Sequence, residues 1–224
     1  KQMKNVTLAV FAILVIVSCK QKRGKEEKEH DKRPTVEWLR VIGGGSVEAV
    51  KDIEQTSDGG YILAGYRYVR EKETGHYDAY VVKLTANGKI VWDQNYGGRG
   101  EDKAHDILET GDGGFLLVGK STSNDRQIKE NAGGMDAFVI KIGRRGSFTW
   151  SKTYGGTGLD EACKIVHSNI EGRYVVLGNS NSVNGLYKYN HGELDYFVFE
   201  ISGQGQMKWY NILGGSNLEK AYDI

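Results

Sequence analysis

The chain has 224 residues, of which 31 are glycine and one is proline, and its formal net charge is +1 at pH 7. Glycine at roughly twice its ordinary frequency favours strands joined by tight turns, while 39% hydrophobic residues supply a packed core and exclude a disordered chain. The small net charge gives no reason to expect a nucleic-acid partner.

The N-terminal region has the organisation of an export signal. Two lysines precede the apolar stretch Val6–Val17, which is shorter than the roughly 20 residues of a membrane-spanning helix and is typical of a signal peptide. Its ending, Ile16-Val17-Ser18-Cys19, resembles the lipobox of bacterial lipoproteins. The resemblance implies cleavage before Cys19 and diacylglycerol on its sulfur. An ordinary secretory signal or an uncleaved N-terminal anchor is the alternative.

A charged segment follows the signal. Lys20–Thr35 contains seven basic and four acidic residues and no apolar residue, so it cannot bury a core and should remain a solvated tether. We therefore expect a signal peptide over 1–18, a tether with a lipidated Cys19 over 19–35 and a folded body over 36–224. This organisation predicts an extracytoplasmic protein of the bacterial cell envelope, held on a membrane through its lipid anchor.

The folded body repeats one unit about every 54 to 59 residues. Each unit carries a tryptophan, then a glycine pair, then a carboxylate, and three units carry a second carboxylate before an apolar run. The units span about 36–92, 93–150, 151–209 and, as a partial copy, 210–224. The recurring positions are Trp38, Trp92, Trp150 and Trp209; Glu48, Asp102, Asp160 and Glu219; and Asp78, Asp136 and Asp195.

The first unit can be divided into four strands, named a to d. They cover about Ala49–Thr56, Tyr61–Tyr68, Ala79–Leu84 and Lys89–Asn95, and Asp58-Gly59-Gly60 suits a hairpin turn with positive φ between a and b. Strands b and c are apolar on both faces, which demands cover on both sides of the sheet. Sheets stacked face to face around an axis provide it. The sequence therefore predicts an all-β protein, a β-propeller of four-stranded antiparallel blades.

Two resemblances accompany this pattern. The sequence YGGRGEDKAHDILETGDGGFLLVG, with DAFVIKI after it, resembles the β-propeller repeats of secreted and lipid-anchored bacterial surface proteins, over nearly all of Trp38–Ile224. That family implies the fold without implying one activity. Gly88-Lys89-Ile90-Val91-Trp92 is similar to the Gly-Lys-x-x-Trp signature of quinoprotein propellers, which the other units keep only in part. The same resemblance implies, as a non-enzymatic alternative, an outer-membrane assembly lipoprotein with quinoprotein-like blades.

The number of strands predicts an incomplete ring. Val36–Val41 reads as a strand d without its own a, b and c, and the chain stops at Asp223-Ile224, early in a fourth strand a. About three blades and part of a fourth are fewer than the four to eight of usual propellers. We expect a fragment of a larger ring, an open arc whose exposed edge promotes association.

The recurring residues are best interpreted as structural. The tryptophans suit packing between blades, and short acidic side chains commonly accept hydrogen bonds from turn amides; a metal ligand or a catalytic acid is the alternative. The five histidines show no ligand spacing, and Cys163 reads as a small core residue. No catalytic residue, metal or cofactor is predicted.

The binding surface is expected where the d-to-a and b-to-c loops meet, named here the loop face, opposite the short DGG turns. Its b-to-c segments, Arg67–Tyr77, Lys120–Met135 and Asn179–Leu194, vary in length and chemistry, and loops on a rigid scaffold often carry recognition. Tyrosine with asparagine suits a glycan or a peptide. The candidates are Tyr66, Tyr68, Tyr187, Tyr189, Asn190 and His191.

Two functional classes follow from these observations. A non-enzymatic binding or scaffold module for glycan or protein partners is the primary prediction. A propeller enzyme, either a hydrolase or lyase or a quinoprotein, is the alternative, and a histidine cluster assembled from loops would reveal it. A purely structural interpretation of the tyrosines, in which they cover blade edges, is a further alternative.

Overall fold

The computed structural model describes residues 12–18, 35–71, 74–188, 190 and 192–223. Two strands, β1 (Ala12–Ser18) and β2 (Thr35–Ile42), pair with each other, and three four-stranded sheets follow. The first sheet holds β3 (Glu48–Gln55), β4 (Tyr61–Glu71), β5 (Thr74–Leu84) and β6 (Ile90–Tyr96). The second holds β7 (Asp102–Glu109), β8 (Phe115–Ser121), β9 (Asp136–Ile142) and β10 (Phe148–Tyr154). The third holds β11 (Asp160–His167), β12 (Arg173–Ser180), β13 (Asp195–Ser202) and β14 (Met207–Leu213), with a 3-10 turn at Gly185–Tyr187.

Each sheet is an antiparallel meander in which the strands follow chain order from a to d. The three sheets lie in series, because β7 packs on β3, β4 and β5, and β11 packs on β7, β8 and β9. Strand a of one sheet therefore covers a face of the preceding sheet, as in consecutive propeller blades. The predicted all-β blade architecture is confirmed.

Burial on both faces of the middle strands holds the sheets together. Leu116 and Leu117 are neighbours in β8 and both are fully buried. Leu117 packs in the cluster between the first and second sheets, and Leu116 in the cluster between the second and third. Each such side chain contributes roughly 1.5–3 kcal/mol, so the continuous apolar runs in strands b and c explain the stacking.

The segment after Arg67 differs from the sequence-based expectation. Arg67–Tyr77 was predicted as a loop, but β4 and β5 continue as a hairpin whose register runs from Tyr68 opposite Tyr77 to Glu71 opposite Thr74. The segment contains the aromatic and β-branched residues Tyr68, Val69, Thr74 and Tyr77, which favour strands. The first blade therefore extends beyond the others at the loop face.

The side chains of Trp38 and Trp92 each contact the next unit. Trp38 Nε1 donates to the Ala86 carbonyl oxygen at 3.0 Å, and Trp92 Nε1 donates to the Arg144 carbonyl oxygen at 3.2 Å. The Trp92 ring lies so close to Gly146 (φ 80°) that an added Cβ would meet it at 2.9 Å. Trp209, on the last strand, is 45% exposed. The turn glycine of one unit thus leaves the space into which the indole ring of the preceding unit packs.

A buried charged residue of strand c pairs with a more exposed residue near the turn between strands a and b, and the signs of the two charges are exchanged in the third sheet. Lys141 of β9 is buried and its Nζ lies 2.8 Å from Asp112 Oδ1, with a second hydrogen bond to Thr110 Oγ1. At the equivalent place in β13, Glu200 accepts from Arg173 at 2.9 Å. A buried charge requires a partner, so the exchange of lysine for glutamate is accompanied by a basic residue, Arg173, at the start of β12.

Strand β2 pairs as a strand d. Trp38 lies opposite Ile16 of β1, and the register shifts directly after that pair. The same shift follows the pairs Lys83–Trp92 and Glu200–Trp209 in the complete sheets. Cys19 lies outside the described residues. Within those residues, no helix has the length and hydropathy needed to cross a membrane.

Candidate binding site on the inner strands

A β-bulge recurs in each inner strand, which is the name used here for β3, β7 and β11. The pairing register shifts after Val50, Ala104 and Ala162, so that Lys51, His105 and Cys163 are extra residues without a partner in strand b. Bulges increase local twist and redirect side chains. The sequence carried a signal for them, because two residues that are not aliphatic interrupt the alternation at the same place in each unit: Lys51-Asp52, His105-Asp106 and Cys163-Lys164.

Three tyrosines of the extended hairpin form an aromatic cluster at the loop face. The Tyr66 and Tyr77 ring centroids lie 5.3 Å apart with the planes at 87°, and those of Tyr68 and Tyr77 lie 5.3 Å apart at 66°. All three rings are half-buried. Edge-to-face contacts contribute about 0.5–1.5 kcal/mol beyond burial, so the cluster is preorganised while part of its surface remains open.

Two lysines from neighbouring inner strands approach this cluster. Lys51 Nζ lies 5.7 Å from the Tyr66 ring centroid, and Lys103 Nζ lies 5.3 Å from it and 4.5 Å from that of Tyr77. Cation–π contacts of exposed groups stabilise by roughly 0.5–1 kcal/mol. Lys103 also pairs with Glu101 at 3.1 Å. Within the described chain Lys51 forms no ion pair. We call Tyr66, Tyr68, Tyr77, Lys51 and Lys103 the Tyr–Lys site.

The next blade continues the polar surface. Lys120 Nζ lies 2.9 Å from Glu161 Oε2, and this lysine holds the pKa of Glu161 below its usual range although burial opposes it. His105 Nδ1 lies 2.9 Å from the Ala162 carbonyl oxygen, and burial lowers the pKa of the imidazole. Burial, followed by Glu161, raises the pKa of the Cys163 thiol to about 12. A thiol held in that form is a poor nucleophile.

A second group of charged residues lies on the inner strands, one position after each bulged residue. Asp106 is buried; its Oδ1 lies 3.0 Å from Lys164 Nζ, its Oδ2 accepts from the Ile165 backbone nitrogen at 2.7 Å, and its carboxyl group hydrogen-bonds that of Asp52. Burial raises the pKa of Asp106, and the hydrogen bond to Asp52 adds to the rise. The raised pKa favours the protonated form of Asp106, and the Lys164 ammonium is its cationic neighbour.

Recurring carboxylates anchor the loops beneath the site. Asp102 is fully buried and accepts hydrogen bonds from the Gly98 backbone nitrogen at 2.7 Å, from Ser123 Oγ at 2.7 Å and from Ser121 Oγ. Asp160 accepts an equivalent set in the next blade, from Gly156 nitrogen, Ser180 and Ser182. In the first blade the carboxylate is Glu48, and Arg67 replaces the serines at 3.1 Å.

The second set of recurring carboxylates lies at the start of β9 and β13 and at the fifth residue of the longer β5. Burial raises the pKa of both Asp78 and Asp136 to about 6. Asp78 Oδ1 lies 3.2 Å from His76 Nε2, and Asp136 Oδ2 accepts from the Ala132 backbone nitrogen at 2.7 Å. Asp195 is fully buried at the equivalent place. These groups face neighbouring turns inside the protein.

Two further predicted binding residues, Tyr187 and Asn190, have side chains that form structural contacts. Tyr187 was expected to contact a ligand, but its side chain is 1% exposed, packs against Phe197 and donates to the Tyr154 carbonyl oxygen at 3.1 Å. The short 3-10 turn directs it into the core, so that expectation is wrong. Asn190 holds its own loop by donating to the Ser180 carbonyl oxygen at 2.7 Å. Tyr189 and His191 lie outside the described residues.

A cavity of about 310 Å³ lies at the other end of the protein, between the turns of the second and third sheets. The corresponding gap between the first and second sheets is bridged, because Glu109 accepts hydrogen bonds from the Ser57 backbone nitrogen at 2.6 Å and from Ser57 Oγ at 2.8 Å. Gly111 and His167 occupy these two positions in the next unit. Neither forms that bridge, and the gap is wider.

The basic groups at this cavity differ from Lys51 of the Tyr–Lys site in that they form ion pairs. The ammonium of Lys141 at the cavity is already paired with Asp112, and Arg173 is paired with Glu200. Lys51 at the loop face has no such partner in the described chain. In the part of the chain that the structure describes, no three His, Cys, Asp or Glu side chains are grouped to hold a metal ion.

Comparison with known proteins finds matches among solved structures. No family model and no curated protein matches the chain. Among solved structures, the chain is similar to variants of Synechocystis apocarotenoid oxygenase. One has a TM-score of 0.46 at 11% identity over 80% of this chain and 42% of the oxygenase. Another has a TM-score of 0.45 at 11% identity over 76% of this chain and 40% of the oxygenase. The chain thus spans less than half the length of these neighbours.

Proposed function

We propose that this protein is a lipid-anchored, extracytoplasmic propeller module that binds a ligand on its loop face through the Tyr–Lys site. The observation that carries the proposal is the environment of Tyr66: a half-buried ring approached by the ammonium groups of two lysines, with Tyr77 at right angles. Aromatic rings with adaptable polar neighbours are a frequent composition of binding surfaces. The blade scaffold supports these residues on strands, which limits the entropy lost on binding.

The binding role is tested with purified protein on glycan and peptide arrays. Tyr66→Ala should weaken a detected interaction about tenfold, because it removes the ring that both lysines contact. Tyr210→Ala is the matched control, since Tyr210 is 40% exposed on the outer strand β14, away from the loop face, and should bind like the parent. Binding that survives Tyr66→Ala but is lost on substitution at the DGG turns would show that the wrong face was chosen.

The anchoring role predicts a specific effect of Cys19→Ala. The protein should move from the membrane fraction to the soluble or unprocessed pool, because the acyl chains supply the proposed attachment, at about 0.8 kcal/mol per buried methylene. Cys163→Ala is the control and should stay with membranes. Labelling with a tagged fatty acid should mark the parent and the control only. Membrane retention of Cys19→Ala with unchanged processing would identify the apolar segment as the anchor instead.

A further inference from the structure

The cavity between the turns of the second and third sheets has a smaller counterpart one junction earlier. The space between the first and second sheets measures about 150 Å³, and that between the second and third measures about 310 Å³. Both have equivalent walls, because each lies beside a turn aspartate and the buried lysine paired with it: Asp58 with Lys83, and Asp112 with Lys141. The difference in volume therefore comes from the other residues that line the two spaces.

The first junction is closed in part by a hydrogen-bonded bridge that the second junction lacks. Glu109 accepts two hydrogen bonds from Ser57 at the first junction, and the equivalent residues at the second are His167 and Gly111. An added Cβ at Gly111 would meet no heavy atom within 4 Å. The space beside this turn is therefore open, and it is wide enough to accept a side chain.

An arginine fills the first junction, and a glycine occupies the equivalent position at the second. The Arg144 guanidinium lies against Gly113, where an added Cβ would meet Nη2 at 2.4 Å. The corresponding turn of the next unit carries Gly203 at the position of this arginine. Two side chains are thus missing at the second junction and the bridging carboxylate is replaced, which accounts for the larger cavity.

The basic groups that line the cavity already have acidic partners. Lys141 lies 2.8 Å from Asp112, and Arg173 lies 2.9 Å from Glu200. Glu171 adds an exposed carboxylate to the lining. An anionic ligand would meet two paired cations and a carboxylate that repels it, and such like-charge contacts are costly. The lining therefore favours a ligand without net negative charge.

The cavity offers both apolar surfaces and hydrogen-bonding groups. The His167 ring centroid lies 5.5 Å from that of Tyr174, and Ile170 is 45% exposed in the same lining. The hydrogen bonds that hold Asp112 within the described chain end on Oδ1, so Oδ2 can accept from a ligand. Gln204 adds an exposed amide. A sugar ring has C–H faces and an edge of hydroxyl groups, so it matches both kinds of surface.

We propose that this cavity binds a single neutral sugar ring, such as the terminal hexose of a glycan. Its volume lies at the lower end of the roughly 300–1,000 Å³ of small-molecule sites, which suits one ring better than a chain. The C–H groups of the sugar pack on His167 and Ile170, and its hydroxyls bind Asp112 and Gln204. The site lies at the opposite end of the protein from the Tyr–Lys site and is independent of the function proposed there.

The test transfers the closed junction into the open one. The double variant Gly111→Ser/His167→Glu recreates the bridge of the first junction and should weaken sugar binding about tenfold or more, because new side chains occupy the ligand's space. The reverse exchange, Ser57→Gly/Glu109→His, is the matched control and should bind like the parent, since Arg144 still fills the first junction. Saturation-transfer NMR with glucose, galactose and N-acetylglucosamine measures binding, and circular dichroism verifies that both variants are folded.

The outcomes separate the site, the ligand class and the loop-face function. Equal sugar binding by the filled variant and the parent would overturn the site, as would a parent that binds none of the three sugars. Tighter binding of choline or gluconate, lost in the filled variant, would overturn the neutral sugar in favour of a cation or an anion. Tyr66→Ala should leave sugar binding at the cavity unchanged. Loss of sugar binding in that variant would overturn the cavity site and support the loop face.

Discussion

Replacing Asp102 by alanine should lower the free energy of unfolding by about 3–5 kcal/mol, because the change removes a buried acceptor that three donors share. The Gly98 amide and the hydroxyls of Ser121 and Ser123 would lose their partner in a fully buried position. Urea unfolding at pH 7 measures the effect. The variant Asp102→Asn keeps one acceptor oxygen and the side-chain volume, and its free energy of unfolding should be about 1 kcal/mol below that of the parent.

Glu171→Ala is the control for this experiment. Glu171 is an exposed turn residue, and its removal should change the free energy of unfolding by less than about 0.5 kcal/mol. If Asp102→Ala is as mild as this control, the buried network does not hold the blade junction. Asp102 directly precedes Lys103 in the chain. Because Asp102→Asn keeps the shape of the side chain, this variant should bind a loop-face ligand nearly as well as the parent, provided that the fold is kept.

Asp106→Asn should change the pH dependence of stability. Burial and the neighbouring Asp52 raise the pKa of Asp106 in the folded protein, so the native state holds a proton that the unfolded chain releases near pH 4. The free energy of unfolding of the parent should therefore fall as pH rises from about 4 towards neutrality. Asparagine imitates the protonated acid: it can donate to Asp52 and accept from the Ile165 amide.

The variant should therefore be less sensitive to pH in this range and more stable than the parent at pH 7.5, by about 1–3 kcal/mol. Urea midpoints between pH 4.5 and 8 measure both effects. Glu171→Gln, at an exposed position, should leave the parent's pH profile unchanged. A variant that is less stable than the parent at pH 7.5 would show that the pair with Lys164 outweighs the cost of burying the two carboxyl groups.

Local sequence patterns were sufficient to predict the blades. The alignment of Trp38, Trp92, Trp150 and Trp209 identified the repeat, and apolar runs such as Phe138-Val139-Ile140 required cover on both faces of a sheet. These features depend on strand periodicity and on turn geometry, which involve residues close together in the chain. The four strands of each complete sheet appear in the predicted order for the same reason.

The accessible side chains could not be predicted in this way. Tyr187 and Tyr66 are both tyrosines near the loop face, yet the first lies in the core and the second is only half-buried. The difference arises because the 3-10 turn packs Tyr187 against Phe197 of its own blade, whereas the extended hairpin carries Tyr66 to the edge of the next inner strand. Exposure is set by the neighbouring element, which local spacing does not report.

The sequence by itself thus determined the repeat, the strand order and the packing demand of strands b and c, because each follows from contacts within one unit. Only the tertiary structure decided that Lys51 and Lys103, from two units, approach one tyrosine ring, and that Asp106 is buried beside Asp52. Both arrangements depend on how consecutive sheets are rotated and on where the bulges direct side chains, and no single unit contains that information.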